Sequence, residues 1–371
     1  MGAVEGIPGP LTLQCARVVN GEGGQSASPA WITMADGRIV AVGAGTAPAG
    51  AVDLGDAIVA PGFVDVQVNG TGTVDFASAS VEQIVAAVDT LVAGGTTGLL
   101  LTICSAPLDA YDVMLERAAR VRATRPDAVL GVHLEGPFLG GAPGAHPPEV
   151  LRSADLAFVR HVLETYGDLV RLVTLAPEAD DGFAATRMLS ENGVVVALGH
   201  STVDFEGARR AADAGASMVT HLFNGMAAMH HRAPGLAGAG LDDPRLLPSL
   251  IADFVHVHPA LLKLALHARA DAVLVTDAVA TEPPVVDRDG AAYLADGTLA
   301  GSTLTMDMVL RNVVSIGVPL PAAVRHLSGN PARALGRNDR GRIAPGARAD
   351  LVALDPITLS VRTVWVAGLP V

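Results

Sequence analysis

The sequence predicts an α/β protein: a (β/α)8 barrel of the TIM type with a small β-sandwich built from both chain termini. Between Pro61 and Arg337, apolar β-branched runs alternate with helical patterns of roughly 10–15 residues, the rhythm of parallel strands joined by crossover helices. The runs number eight, as a closed barrel requires. Before and after that stretch the chain holds only short strand-like runs punctuated by turn residues. The expected division is therefore 1–60 with 341–371 as the sandwich domain and 61–340 as the barrel domain.

The eight candidate strands are Phe63–Val68, Gly98–Ile103, Val129–Leu134, Val170–Leu175, Val194–Leu198, Met218–Leu222, Ser249–Ala252 and Ala272–Thr276. Helices are expected over Val81–Ala93, Ala110–Ala123 and Phe205–Ala214. In the flanking zones Leu11–Val19, Ala30–Met34, Gly37–Gly43, Asp56–Val59, Asp350–Leu354 and Val361–Val366 read as strands, the first and last zones pairing with each other.

Composition narrows the function. Half of the 371 residues are hydrophobic and 41 are glycine, whereas only 4% are aromatic, so the core must be aliphatic. The net charge is −13 and no basic stripe occurs, which argues against nucleic acid and anionic membranes as partners. The uncharged stretch Thr90–Leu108 contains Gly94-Gly95-Thr96-Thr97 and reads as a helix end, a turn and a buried strand rather than a membrane span. Cys15 and Cys104 are far apart, form no metal-spacing motif and read as two buried thiols of a reducing compartment. Residues Met1–Leu11 have no basic run, so no secretory leader is expected and the cytoplasm is the expected location.

A barrel enzyme carries its reactive side chains where the strands run out into the loops above them. Glu135, His200, His221 and Asp277 each end an apolar run in that position. One carboxylate and two imidazoles make a mixed nitrogen–oxygen set suited to Zn²⁺ or a similar divalent ion, with positions left open for water. Such an ion lowers the pKa of bound water towards about 7. Asp277 could then take the proton and return it to a leaving nitrogen, which is the chemistry of amide hydrolysis. His133 shares a strand face with Glu135 by the period of two and reads as structural. His256 and His258 also share a face, and one of them is expected to be structural only.

At these residues a family resemblance becomes specific. Pro61–Gly70, His133-Leu134-Glu135-Gly136-Pro137-Phe138, Gly199-His200-Ser201, Thr220–Met226, Pro234–Gly238 and Val275-Thr276-Asp277-Ala278 resemble, in order, the N-acetylglucosamine-6-phosphate deacetylases. Ser328–Ala332 and Ala349–Val352 resemble amidohydrolases generally. The resemblance implies deacetylation of an N-acetylhexosamine 6-phosphate, with Glu135, His200 and His221 as ligands of one divalent metal per subunit. Zn²⁺ stands first, with Fe²⁺, Co²⁺ and Mn²⁺ as alternatives. It makes Asp277 the general acid/base and His146 the group that polarises the acetyl carbonyl, with Ala145 beside it at the substrate. Asn224, Gly225 and His256 would contact the sugar phosphate, the first two in part through backbone N–H groups. Leu299, Ala300 and Gly301 would line the substrate loop. Arg232 would reach the phosphate from a neighbouring subunit, which implies a homodimer.

Two departures stand out. Where many amidohydrolases carry H-x-H on the first barrel strand, this chain has Gln67-Val68-Asn69. Neutral amides are poor zinc ligands, so a single functional metal is expected. The loop Leu139–His146 is short and lacks a lysine common in the family. The rival readings are the galactosamine epimer, an amidohydrolase of other specificity, and a catalytically silent binding protein on the same barrel.

Overall fold

The computed structural model describes residues 9–24, 28–283 and 285–371; the reading of the N-terminal leader falls largely outside them. Eight parallel strands form one sheet: β1 (Phe63–Val68), β2 (Thr96–Cys104), β3 (Val129–Glu135), β4 (Val170–Leu175), β5 (Val195–Leu198), β6 (Met218–Val219), β7 (Leu247–Ile251) and β8 (Val273–Val275). Each strand pairs with the next in sequence. The residues just beyond β8 close the ring on β1: the Asp277 N–H donates to the Gln67 carbonyl at 2.9 Å, and the Asn69 N–H donates to the Ala278 carbonyl at 2.7 Å. The expected barrel is thus the observed one. The second strand runs longer than expected and the eighth shorter; the sixth falls shortest of its expected length, the chain turning into left-handed backbone at His221 rather than running on to Leu222.

Helices cover the outside for sequence-visible reasons. Helix α1 (Val81–Ala93) starts at Ser80, which forms a reciprocal capping box with Gln83, and buries Ile84, Ala87, Val88, Leu91 and Val92 at helical spacing. Helix α2 (Tyr111–Thr124) follows the same logic, and α3 (Phe205–Asp213) is capped by Asp204 through the Gly207 N–H at 2.6 Å. The uncharged stretch from Thr90 resolves into the end of α1, a turn and β2. Among the described residues no helix is long and apolar enough to cross a membrane.

The barrel interior is layered. At the bottom Leu100, Leu130, Leu172, Ala197, Met218, Ile251 and Val273 pack together, with Ala332 and Leu335 against them. Above them lies a polar layer. The His133 Nε2 lies 2.8 Å from the Thr174 hydroxyl, which lies 2.6 Å from that of Thr220. His133 is therefore structural, as expected, held one layer below Glu135. A bulge at Leu130 shifts the phase of β3 so that Leu130 and His133 both point inward; a Cβ at the following Gly131 would meet Arg171 Cγ at 2.3 Å.

Residues from both chain ends share one of two small sheets. Leu11–Cys15, Ala30–Ala35, Arg38–Ala44 and Val52–Asp53 form a four-stranded sheet. Arg17–Val18 and Ile58–Pro61 join Leu351–Leu354, Val361–Val366 and Leu369–Pro370 in a five-stranded one. The run Leu11–Val19, expected as one strand, divides at Ala16 between the two sheets. Leu13, Ile32, Ile39, Val59, Leu351 and Trp365 bury their side chains in one cluster contributed by both.

Buried Arg340 ties this unit to the barrel floor. Its guanidinium donates to the carbonyls of Thr97, at 3.3 Å, and Asp127, at 3.2 Å, and lies 3.5 Å from the Asp350 carboxylate. Removing one member of a buried ion pair leaves charge and carbonyls uncompensated. Arg340→Met is expected to lower unfolding free energy by about 3 kcal/mol in a urea titration; unchanged stability would show that the clamp carries no load.

Candidate active site

Glu135 is the last residue of β3, while His200, His221 and Asp277 each stand two residues beyond a strand. Those three have positive φ, 50°, 31° and 48°. Left-handed backbone costs a non-glycine residue of order 1–3 kcal/mol, and it persists only where the surroundings enforce it. Here it turns each chain exit so that the side chain joins the others at the top of the barrel.

The convergence is tight. Glu135 Oε1 lies 3.2 Å from His200 Nε2 and 3.2 Å from His221 Nε2, and the two imidazole nitrogens are 3.0 Å apart. Bonds of about 2.0–2.1 Å to a tetrahedral Zn²⁺ would separate ligand atoms by about 3.3 Å. The triangle fits such an ion with little adjustment. His200 Nδ1 stands 3.2 Å from the Ala142 carbonyl, so that nitrogen carries the hydrogen and Nε2 keeps its lone pair for a cation. Gly225 has φ 56°, and a Cβ there would come 2.8 Å from His200 Nδ1. Only glycine lets the backbone pass so close. His221 Nδ1 is buried without a hydrogen-bond partner among the described residues.

Asp277 sits beside the triangle. Its Oδ1 accepts from Asn69 Nδ2 at 2.9 Å and from Gln67 Nε2 at 3.1 Å, and Gln67 Nε2 also lies 3.1 Å from Glu135 Oε1. The amides that replace H-x-H thus act as donors that fix two carboxylates. Burial, followed by the charge of Glu135, pushes the Asp277 carboxyl up to about 8. Burial opposes ionisation of Glu135, but where no cation is bound the facing His200 and His221 rings, sharing protons with its Oε1, outweigh that and hold it well below the usual range.

A cavity of about 380 Å³ opens above these groups. Ala145, His146, Asn224, Gly225, His256, Leu299, Ala300 and Gly301 all line it, so the structure gathers these candidates around one space. His146 Nδ1 accepts from the Ser105 N–H at 3.4 Å, which leaves hydrogen on Nε2 of the neutral ring. Burial, then the neighbouring His200, drives its pKa down to about 3.

Arg232, expected to act on a neighbouring subunit, lies outside this cavity. It is exposed, in the turn His230–Ala233, and absent from the lining. Asn224 lines the cavity, but its backbone N–H donates to the His221 carbonyl at 2.9 Å and its side-chain NH2 to the carbonyls of His221, at 3.1 Å, and Leu222, at 3.4 Å, so its donors are engaged within the loop.

Several groups escaped the sequence reading. Buried Asp253 accepts from the N–H groups of Val255 and His256 and meets His256 Nδ1 at 2.5 Å, which fixes the ring. The sequence signal was an aspartate three residues before the histidine. His258, by contrast, caps a helix through the Ala260 N–H and is structural. Cys15 is buried as expected, but Cys104 is only partly buried and belongs to the cavity wall. Leu294, from a three-stranded antiparallel insertion over 286–302, and Val285 just before it also line the cavity.

A model of the amidohydrolase family matches residues 58–371. The chain is 40% identical to N-acetylglucosamine-6-phosphate deacetylase of Danio rerio over 346 residues, covering 85% of each chain. It is 36% identical to N-acetylgalactosamine-6-phosphate deacetylase of Escherichia coli O157:H7 over 354 residues, 91% of this chain and 93% of that one. Its fold superposes with a TM-score of 0.92, at 37% identity, on a variant of Mycobacterium smegmatis N-acetyl-D-glucosamine-6-phosphate deacetylase in complex with N-acetyl-D-glucosamine-6-phosphate, covering 98% of this chain and 99% of that one. With the geometry of the barrel mouth, these likenesses establish that the chain belongs to the amidohydrolase family and, within it, to the N-acetylglucosamine-6-phosphate deacetylases.

Proposed function

We propose that this protein hydrolyses the acetamide of N-acetyl-D-glucosamine 6-phosphate to D-glucosamine 6-phosphate and acetate. The observation that carries the proposal is the convergence of Glu135, His200 and His221 beside Asp277 under a cavity sized for one sugar. The substrate-bound mycobacterial relative supports the gluco epimer. The galacto reading draws on the E. coli relative. Rates of acetate release from the two epimers separate them, with kcat/KM expected to favour the glucosamine derivative; the reverse order would transfer the assignment.

In this reading one divalent ion, with Zn²⁺ the first choice, is held by Glu135, His200 and His221. Bound there, the ion supplies Lewis acidity towards water and the acyl oxygen. Asp277 does the proton work. Its Oδ1 is anchored by two amide donors, so Oδ2 accepts the proton of the attacking water and later gives it to the departing amine nitrogen. His146, neutral with hydrogen on Nε2, donates to the acyl oxygen as negative charge develops on it.

The phosphate needs cations that this cavity lacks: among the described residues lining it there is no lysine or arginine. We assign His256, fixed by Asp253, and the Gly225 N–H to the phosphate from within the chain. Arg232 of a second copy supplies a guanidinium fork, which makes the working unit a homodimer. The proposal includes a cytoplasmic location, and the division into a sandwich domain (1–60 with 341–371) and a catalytic barrel domain (61–340).

Asp277→Asn is expected to keep metal and substrate binding while lowering kcat by about 10²- to 10⁴-fold; near-normal turnover would remove Asp277 from the proton path. Arg232→Ala is expected to raise KM for the phosphorylated substrate by about 10- to 100-fold with kcat little changed. An unaltered KM would contradict the shared phosphate site.

A further inference from the structure

Asp277 reaches the cavity on left-handed backbone, φ 48°, and much of what holds it there comes from a residue that does not line the cavity. Ser302 is fully buried at the end of the strand Leu299–Ser302. Its hydroxyl donates to the Thr276 carbonyl at 2.5 Å, and its N–H donates to the Asp277 carbonyl at 2.9 Å. Its own carbonyl accepts from the Val279 N–H at 3.0 Å. One serine therefore grips the chain before, at and after Asp277. Gly301 lets the two segments close up, since a Cβ there would come 2.7 Å from the Asp277 carbonyl oxygen.

The same device appears at His221, whose φ is 31°. Buried Ser249 accepts the His221 N–H on its hydroxyl at 2.8 Å and the Leu222 N–H on its carbonyl at 2.7 Å. Its hydroxyl hydrogen points to the Val219 carbonyl at 3.4 Å. Left-handed backbone at a non-glycine residue persists only where neighbouring structure enforces it. A buried serine hydroxyl satisfies a carbonyl and also fixes its direction; without the hydroxyl, that carbonyl is short of a partner. The amides of Gln67 and Asn69 hold the Asp277 side chain by its carboxylate, whereas Ser302 holds the same residue by its main chain.

We propose that Ser302 is a positioning residue for the reaction: it holds the Asp277 main chain in the turn that aims the carboxylate, and it couples that turn to the cavity wall formed by Leu299, Ala300 and Gly301. The inference rests on the proposed role of Asp277 as proton carrier. Ser302 itself exchanges no proton and acts only through Asp277. Loss of its hydroxyl frees the Thr276 peptide to turn. A carboxylate displaced by as little as about 1 Å then falls out of line with the attacking water and the departing nitrogen.

The test compares the wild type, Ser302→Ala, Asp277→Asn and the double variant as metal-loaded full chains. Acetate release, circular dichroism and amide hydrogen exchange are measured on each. Ser302→Ala is expected to keep its fold and, within about twofold, its KM, while kcat falls about 10- to 100-fold. In the Asp277→Asn background the same substitution is expected to change kcat by less than about twofold, because the group it positions is already disabled. Independently of activity, exchange of the Asp277 to Val279 amides is expected to quicken about tenfold in Ser302→Ala. Wild-type kcat in Ser302→Ala overturns the proposal, as does a rise in KM alone, unchanged exchange, or a loss that recurs in full in the Asp277→Asn background. Should the alanine variant unfold, Ser302→Cys, similar in volume but a weaker donor, takes its place; loss of fold in both would make Ser302 a residue of the barrel only and equally overturn the proposal. Failure of the deacetylase reading shows elsewhere, as no acetate release from the wild type, and failure of the Asp277 assignment as normal turnover in Asp277→Asn.

Discussion

Three electron-rich atoms held within about 3.2 Å of one another in a buried site repel unless a cation lies between them. That constraint explains much of the surrounding architecture. Glu135, His200 and His221 arrive from three strands, and the latter two hold left-handed backbone that a free chain would abandon. The Ala142 carbonyl fixes one ring, Gly225 gives it room, and the polar layer of His133, Thr174 and Thr220 supports the set from below. The barrel supplies rigidity where the chemistry needs a fixed geometry.

The seam of the barrel extends this logic to Asp277. The backbone bonds that close the ring join Asp277 and Ala278 to Gln67 and Asn69, and the side chains of the same residues bind one another. A carboxylate on the barrel seam is positioned twice, by main chain and by side chain. The replacement of two imidazoles by two amides therefore removes ligands without freeing the carboxylate. It also leaves the Asn69 carbonyl turned towards Cys104.

Electrostatics set the other boundary. A chain of net charge −13 with an acidic cavity is an unlikely host for a phosphate unless cations are placed with care. Within the chain the proposal gives that role to His256, locked by buried Asp253. The exposed turn bearing Arg232 leaves a strong cation free to serve another copy, and the homodimer proposal follows from that.

Strand and helix positions were legible because buried parallel strands are continuous apolar runs, and helix starts such as Ser80 carry their own caps. Phe63–Val68 and Val81–Ala93 appear with the bounds read from the sequence. The candidate ligands were legible because each ends such a run. What stayed hidden depends on contacts between distant segments or on backbone direction. Cys104 gave no sign of facing the cavity, since strand phase at a single cysteine is not written in spacing. The consumption of the Asn224 N–H, the break at Ala16 and the short sixth strand all follow from local turns that hydrophobic pattern does not encode. The central claim is that Glu135, His200 and His221 close around one ion. X-ray absorption at the zinc edge, on protein holding one equivalent, tests it most directly. The account predicts a nitrogen–oxygen shell at about 2.0–2.1 Å with scattering from two imidazoles; a shell without imidazole scattering would contradict it.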